Sequence, residues 1–185
     1  VRRCLLNVVF SILLFAFTAA FFFSANQAFG DELEDLIKER TTTMYLEAQR
    51  LGDLVLGARA RLDFLYVDDA LLRAARTSGM TPDWLKWHLG HFGDPQIRGK
   101  DLFVLRYEAY KPWDFDPFKI VVNGKNLTKE DILTKLIRIS VGSLSPNTVD
   151  SLAFAVSKAT DGVYNIAYES DQIQIDLKKI KGRKN

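Results

Sequence analysis

The sequence predicts a mainly β fold: an antiparallel β-sandwich with a short two-helix insertion, preceded by an apolar leader. Three observations carry that expectation. Apolar residues alternate with period two in about eight runs bounded by turn-forming residues, the pattern of stacked antiparallel sheets. Helical spacing with end signals is concentrated in residues 68–98, between the second and third runs. The first thirty residues hold no acid, and Arg2 and Arg3 precede an apolar run from Leu5 to Phe23. The chain has 185 residues, 48% apolar and 26% charged, with 11 Gly and 5 Pro. That balance excludes collagen-like, disordered and disulfide-scaffold chains.

Positive charge, an apolar run and then small residues form the layout of a secretory signal peptide. Cleavage after Ala28-Phe29-Gly30 leaves Asp31 as the new N-terminus. Cleavage after Asn26-Gln27-Ala28 is poorer, because Asn is bulky and polar for the −3 position. The apolar run also approaches the ~20 residues that a membrane-crossing helix needs, so a retained anchor is the alternative. Both readings place the rest of the chain outside the cytoplasm: periplasmic, secreted, or tethered to the inner membrane. Cys4 is the only cysteine and precedes the apolar run, so the exported part has no disulfide and no thiol ligand or nucleophile.

Three regions follow: the leader at 1–30, a β domain at 31–177 containing the insertion, and a basic tail at 178–185. The tail carries Lys178, Lys179, Lys181, Arg183 and Lys184. Without the tail and the two leading arginines, 18 bases face 23 acids. Such a body is a poor nucleic-acid binder. The tail reads as a solvated end, or as a contact for anionic lipid or cell-wall polymer.

Residues 31–40 are charged, with Leu33, Leu36 and Ile37 at helical spacing. Thr42, Met44, Leu46 and Ala48 alternate, and after Leu51-Gly52-Asp53 the alternation resumes through Leu54, Leu56, Ala58, Ala60, Leu62 and Phe64. Arg59, Arg61 and Asp63 take the opposite face, so this is an antiparallel pair of half-buried strands. Asp68 can cap a helix that ends by Gly79, and Thr81-Pro82-Asp83 starts a second one that stops at Gly90. Leu102 to Tyr110 is a strongly apolar strand, and Lys111 to Pro117 a turn. Phe118, Ile120 and Val122 lead into Asn123-Gly124, a hairpin signal because both residues tolerate positive φ. Residues 129–141 are ambiguous. Thr128 with Asp131 resembles a capping box favouring a helical turn at 129–136, whereas Ile137, Ile139 and Val141 alternate as a strand. Leu152 to Val156, Tyr164 to Tyr168 and Ile173 to Leu177 are the last strands.

Gly99-Lys100-Asp101-Leu102-Phe103-Val104-Leu105-Arg106-Tyr107 resembles the central strand of immunoglobulin-like domains in bacterial exported proteins and antigens. Asp114-Phe115-Asp116-Pro117-Phe118-Lys119-Ile120 is similar to the turn and next strand there. Leu144-Ser145-Pro146-Asn147-Thr148 with Leu152-Ala153-Phe154-Ala155-Val156 resembles that family's turn-then-strand step. The resemblance covers residues 99–177 and implies an adhesive or scaffolding sandwich. It supplies no catalytic residues, and the helical segment departs from it.

Chemistry has few candidates. His88, His91 and Asp94 could hold a metal if the helix continued past Gly90, but a helix-end pair of surface histidines is the plainer account. Trp84 and Trp87 share a helix side, with Phe92 nearby. They either dock the insertion on the sheets or form an aromatic platform for a sugar, a lipid or a partner protein. Trp113-Asp114-Phe115-Asp116 is a turn of mixed aromatics and acids, with too few ligands for calcium. No nucleophile elbow, phosphate-binding loop or dinucleotide fingerprint occurs. Asn126-Leu127-Thr128 matches a glycosylation sequon, which matters only in a eukaryotic host. The expectation is a non-enzymatic, cofactor-free binding or structural module of the cell envelope. Its contact residues are Trp84, Trp87, Phe92 and Trp113, and its partner is an envelope protein or polysaccharide. The alternative is an envelope polysaccharide hydrolase, or a metal-binding protein using His88 and His91.

Overall fold

A computed structural model describes residues 32–182. The leader with Cys4 and its cleavage sites, and the end of the basic tail, lie outside the described residues. Among those described, no helix is long and apolar enough to cross a membrane.

The chain is mainly β, with antiparallel sheets and four helices among the described residues. Helix α1 (32–40) leads directly into β1 (Thr41–Leu46). A projecting hairpin of β2 (Gln49–Leu51) and β3 (Leu54–Leu56) returns to β4 (Ala60–Val67). Then come α2 (Asp69–Thr77), α3 (Asp83–Leu89) and β5 (Lys100–Ala109). β6 (Trp113–Phe115), β7 (Ile120–Val122) and β8 (Lys125–Asn126) are short. β9 (Gly142–Leu144), β10 (Val149–Ser157), β11 (Val163–Tyr168), β12 (Asp171–Asp176) and α4 (Leu177–Gly182) complete the order.

Two four-stranded sheets result, ordered β1-β4-β5-β10 and β12-β11-β7-β8. They share one core. The first sheet sends in Phe64, Phe103 and Phe154, and the second sends in Tyr164, Ile166 and Tyr168. Phe103 stacks on Phe154 at 5.5 Å and meets Tyr164 edge-on at 5.1 Å, which joins the sheets through aromatic quadrupoles as well as buried area.

The first sheet is buried on its other face too. Leu65, Val67, Leu102, Val104, Ala153 and Ala155 pack there against Leu33, Leu36, Leu71, Leu85 and Leu89 of α1, α2 and α3. The helices therefore form a layer over a sheet face, where the sequence predicts an outgrowth at one end. One ion pair fastens the end of α1 to the start of α2. Asp68 caps α2 by accepting from Leu71 N at 2.9 Å, and it also receives buried Arg40 through Nε and Nη2, both at 3.1 Å.

Several elements match the expectations. β1 pairs with β4 in the anticipated antiparallel sense, and Asn123 and Gly124 take φ of 49° and 80° at the β7–β8 turn. Others are corrected. Leu54 and Leu56 share the parity of buried Leu62, yet Leu54 is 61% exposed. Gly57, at φ 71°, breaks the strand, and the hairpin leaves the core. Thr81 does not cap α3; its hydroxyl donates to Ala75 O at 2.7 Å. Within the expected turn at 111–117, β6 forms and pairs with β9. Phe118 lies in a 3-10 turn, not a strand. Residues 129–141 are neither helix nor strand. They make an isolated bridge from Ile132 to Phe154 and a 3-10 turn at Leu136–Arg138. The tail begins as helix α4, not as an irregular end.

Phe103→Ala is expected to cost about 3–5 kcal/mol in urea unfolding, and Leu54→Ser less than about 0.5. Equal costs would disprove the division between core and projecting hairpin. Asp68→Ala removes a cap and leaves the buried Arg40 guanidinium, among the described residues, only its contact with Glu39, so a loss of about 2–3 kcal/mol is expected by the same measurement.

Candidate functional site

The helix layer covers only part of the first sheet. Along β5 the helix-side residues run Leu102, Val104, Arg106, Glu108, and along β10 they run Ala155, Ala153, Ser151, Val149. The face thus turns from apolar to polar halfway along each strand. α3 lies across β5 and β10 near that change. Residues 131–134 lie along the edge of β10, where Leu133 N donates to Ala153 O at 2.9 Å and Ala155 N to Asp131 O at 2.8 Å. Between α3 and this segment opens a groove of about 680 Å³. Trp84, Trp87, Arg106, Lys135, Arg138 and Asp150 line it, with His88 and Ser151 beneath.

The sequence-predicted aromatic residues divide. Trp87 is 78% exposed at the groove mouth. Trp84 is half-buried against the helix-layer core, with the Arg106 guanidinium 5.9 Å from its ring centroid. That geometry is a cation–π contact. Phe92 also packs partly against the same core. Trp84 and Phe92 thus pack onto the helix-side core, and Trp87 stands exposed. Trp113 is corrected: it is 3% exposed in the main core, against Tyr107, Phe115 and Tyr168. It cannot meet a ligand.

His88 is 6% exposed and belongs to a hydrogen-bond chain. Thr134 Oγ1 accepts from Ala153 N at 2.8 Å and sits 3.3 Å from His88 Nδ1. His88 Nε2 is 2.9 Å from Ser151 Oγ, which is 3.4 Å from Trp84 O. One proton arrangement satisfies every member. Thr134 donates to Nδ1, Nε2–H donates to Ser151, and Ser151 donates to the Trp84 carbonyl. The ring nitrogen facing Ser151 is then a donor, so it cannot take the serine proton. In this arrangement the Ser–His pair links α3 to β10.

The metal grouping does not assemble. Both His88 nitrogens face hydroxyls, and Asp94 accepts from Gln96 N at 3.0 Å to start its own 3-10 turn. Among the described residues, no group of three or more His, Cys, Asp or Glu could hold a metal ion. Groove-lining residues that the sequence did not single out are Arg106, Lys135 and Arg138. Arg106 lies about thirty positions before Lys135 and Arg138, and they meet because residues 131–134 run along β10. Among the described residues, none of the three has an ion-pair partner. Asp150, by contrast, accepts from Ser140 N and Ser151 N, both at 2.8 Å.

Burial lowers the His88 pKa to about 4, and nearby His91 adds to this more than Asp150 offsets it. The unfolded chain takes up this proton near pH 6.5, whereas the folded chain resists it until about 4. Stability is therefore lost as pH falls through that window, by about 3 kcal/mol in full. Urea midpoints measured from about pH 6.5 to pH 5 should fall in the wild type and fall less in His88→Gln, whose amide can keep both contacts. Parallel profiles would contradict a neutral His88.

No protein-family model matches the chain, and comparison with curated proteins and with solved structures finds no match.

Proposed function

We propose that the chain is a non-enzymatic binding module of the bacterial cell envelope. It is exported by its leader, and it takes its ligand in the groove between α3 and residues 133–139. The observation that carries this reading is Trp87, whose indole stands open at the mouth of a groove that already holds Trp84 under a guanidinium. An exposed indole beside a recess is costly to leave in water and gains on covering by an apolar or ring-shaped surface.

Supporting observations come from the fold. The chain is mainly β, with antiparallel sheets around one aromatic core, and the proposed kinship of residues 99–177 with immunoglobulin-like domains rests on the sequence resemblance. The acid-free, apolar start of the chain supports export, with a retained inner-membrane anchor as the variant. The hydrolase alternative receives no support from His88, whose two ring nitrogens are engaged by the Thr134 and Ser151 hydroxyls.

Affinity electrophoresis through gels cast with a neutral glucan or with polygalacturonate tests the reading. The wild type should be retarded in at least one gel, and Trp87→Ala should run as in a blank gel. Its melting temperature should stay within about 2 °C of the wild type, since the side chain supports little packing. Equal retardation of both proteins, or none, would sink the groove as the binding site.

A further inference from the structure

We infer that the ligand of this groove is an anionic polysaccharide, whose sugar rings cover Trp87 and whose acidic groups meet Arg106, Lys135 and Arg138. The inference rests on the groove being the binding site. It adds the chemistry of the occupant.

Three features select this class. The first is charge complementarity. Arg106, Lys135 and Arg138 line one groove, and no described carboxylate pairs with any of them. Some bases elsewhere are matched locally, as Arg40 is with Asp68, Arg61 with Asp63 and Lys100 with Asp131; what sets Arg106, Lys135 and Arg138 apart is that they converge on one groove. Guanidinium groups left without internal acceptors in a recess are suited to bidentate contact with carboxylate or phosphate oxygens from outside.

The second feature is the state of the acids in the groove. Asp150 turns both oxygens to backbone N–H groups, which hold its carboxylate in place while it keeps its negative charge. Asp83 stands exposed at the start of α3. The cations outnumber these acids in the groove, although acids outnumber bases in the body of the chain.

The third feature is shape. The groove is open to solvent, has a volume of about 680 Å³ and carries an exposed indole, so it suits a chain of rings better than a small enclosed anion. A polyanion without rings would use the cations and leave Trp87 uncovered. A neutral glycan would cover Trp87 and leave the cations facing water.

Isothermal titration with three probes separates these cases: polygalacturonate, its methyl ester, and polyglutamate. The wild type should bind polygalacturonate about tenfold or more tighter than either other probe, because each of those lacks one half of the recognition. Arg106→Gln with Arg138→Gln should remove the preference for the acid over the ester. Trp87→Ala should weaken polygalacturonate binding and leave weak polyglutamate binding unchanged. Equal binding of ester and acid, with loss only in Trp87→Ala, would overturn the anionic class and leave the groove standing. Polyglutamate binding as tightly as polygalacturonate would overturn the sugar component. Binding that ignores Trp87→Ala would overturn the groove itself, and no binding of polygalacturonate would overturn the inference.

Discussion

Strands β4, β5 and β10 carry apolar side chains on both faces, and the architecture follows from covering both. A strand with one apolar face needs one partner layer; these strands need two. The second sheet supplies one through Tyr164, Ile166 and Tyr168, and the helices supply the other through Leu33, Leu71 and Leu85. Ala153 and Ala155 on β10 are small, which lets a helix lie close over that edge strand. The helix layer is thus a structural requirement of the sheet, and the Arg40–Asp68 pair fastens the end of α1 to the start of α2 within it.

The same rule explains where the layer stops. Leu102 and Val104 need cover; Arg106 and Glu108, farther along the same face of β5, do not. On β10 the change falls between Ala153 and Ser151. His88 closes the boundary, joining α3 to Ser151 and, through Thr134, to the segment along the sheet edge. The groove is therefore a by-product of a hydrophobic pattern that ends halfway along the strands. Its floor is held by polar contacts that are satisfied internally.

What the sequence made legible was local. Period two located the main strands, helical spacing located α1 with Leu33 and Leu36, and Asn123-Gly124 located a hairpin. Each depends on neighbours a few residues apart. What it hid was long-range. Leu54 and Leu56 look like core by parity, but Gly57 turns their hairpin away from the sheets. Trp113 looks like a surface turn until β9, about thirty residues later, pairs beside it. Residues 131–134 satisfy an edge strand without becoming one, so no periodicity marks them. Trp84 and Trp87 lie one turn apart, and spacing alone could not say which would be covered. His88 and Ser151 are 63 positions apart, and only the fold reveals their contact.

Two kinds of polar group meet in this groove, and the difference decides its character. Ser151, His88, Thr134 and Asp150 have partners within the protein, so their hydrogen-bonding capacity is spent on rigidity. Arg106, Lys135 and Arg138 have no described acid partner, so their charge remains available to an incoming anion. The excess of acids elsewhere in the body does not cancel them. At physiological salt, exposed charges farther apart than ~8 Å are largely screened, so a ligand in the groove responds to the lining and not to the remote surface. The acids act only near their own positions, where they disfavour a polyanion on the rest of the surface. Attraction is then confined to the recess where the indole also lies, and the geometry couples ring contact to charge contact at one place.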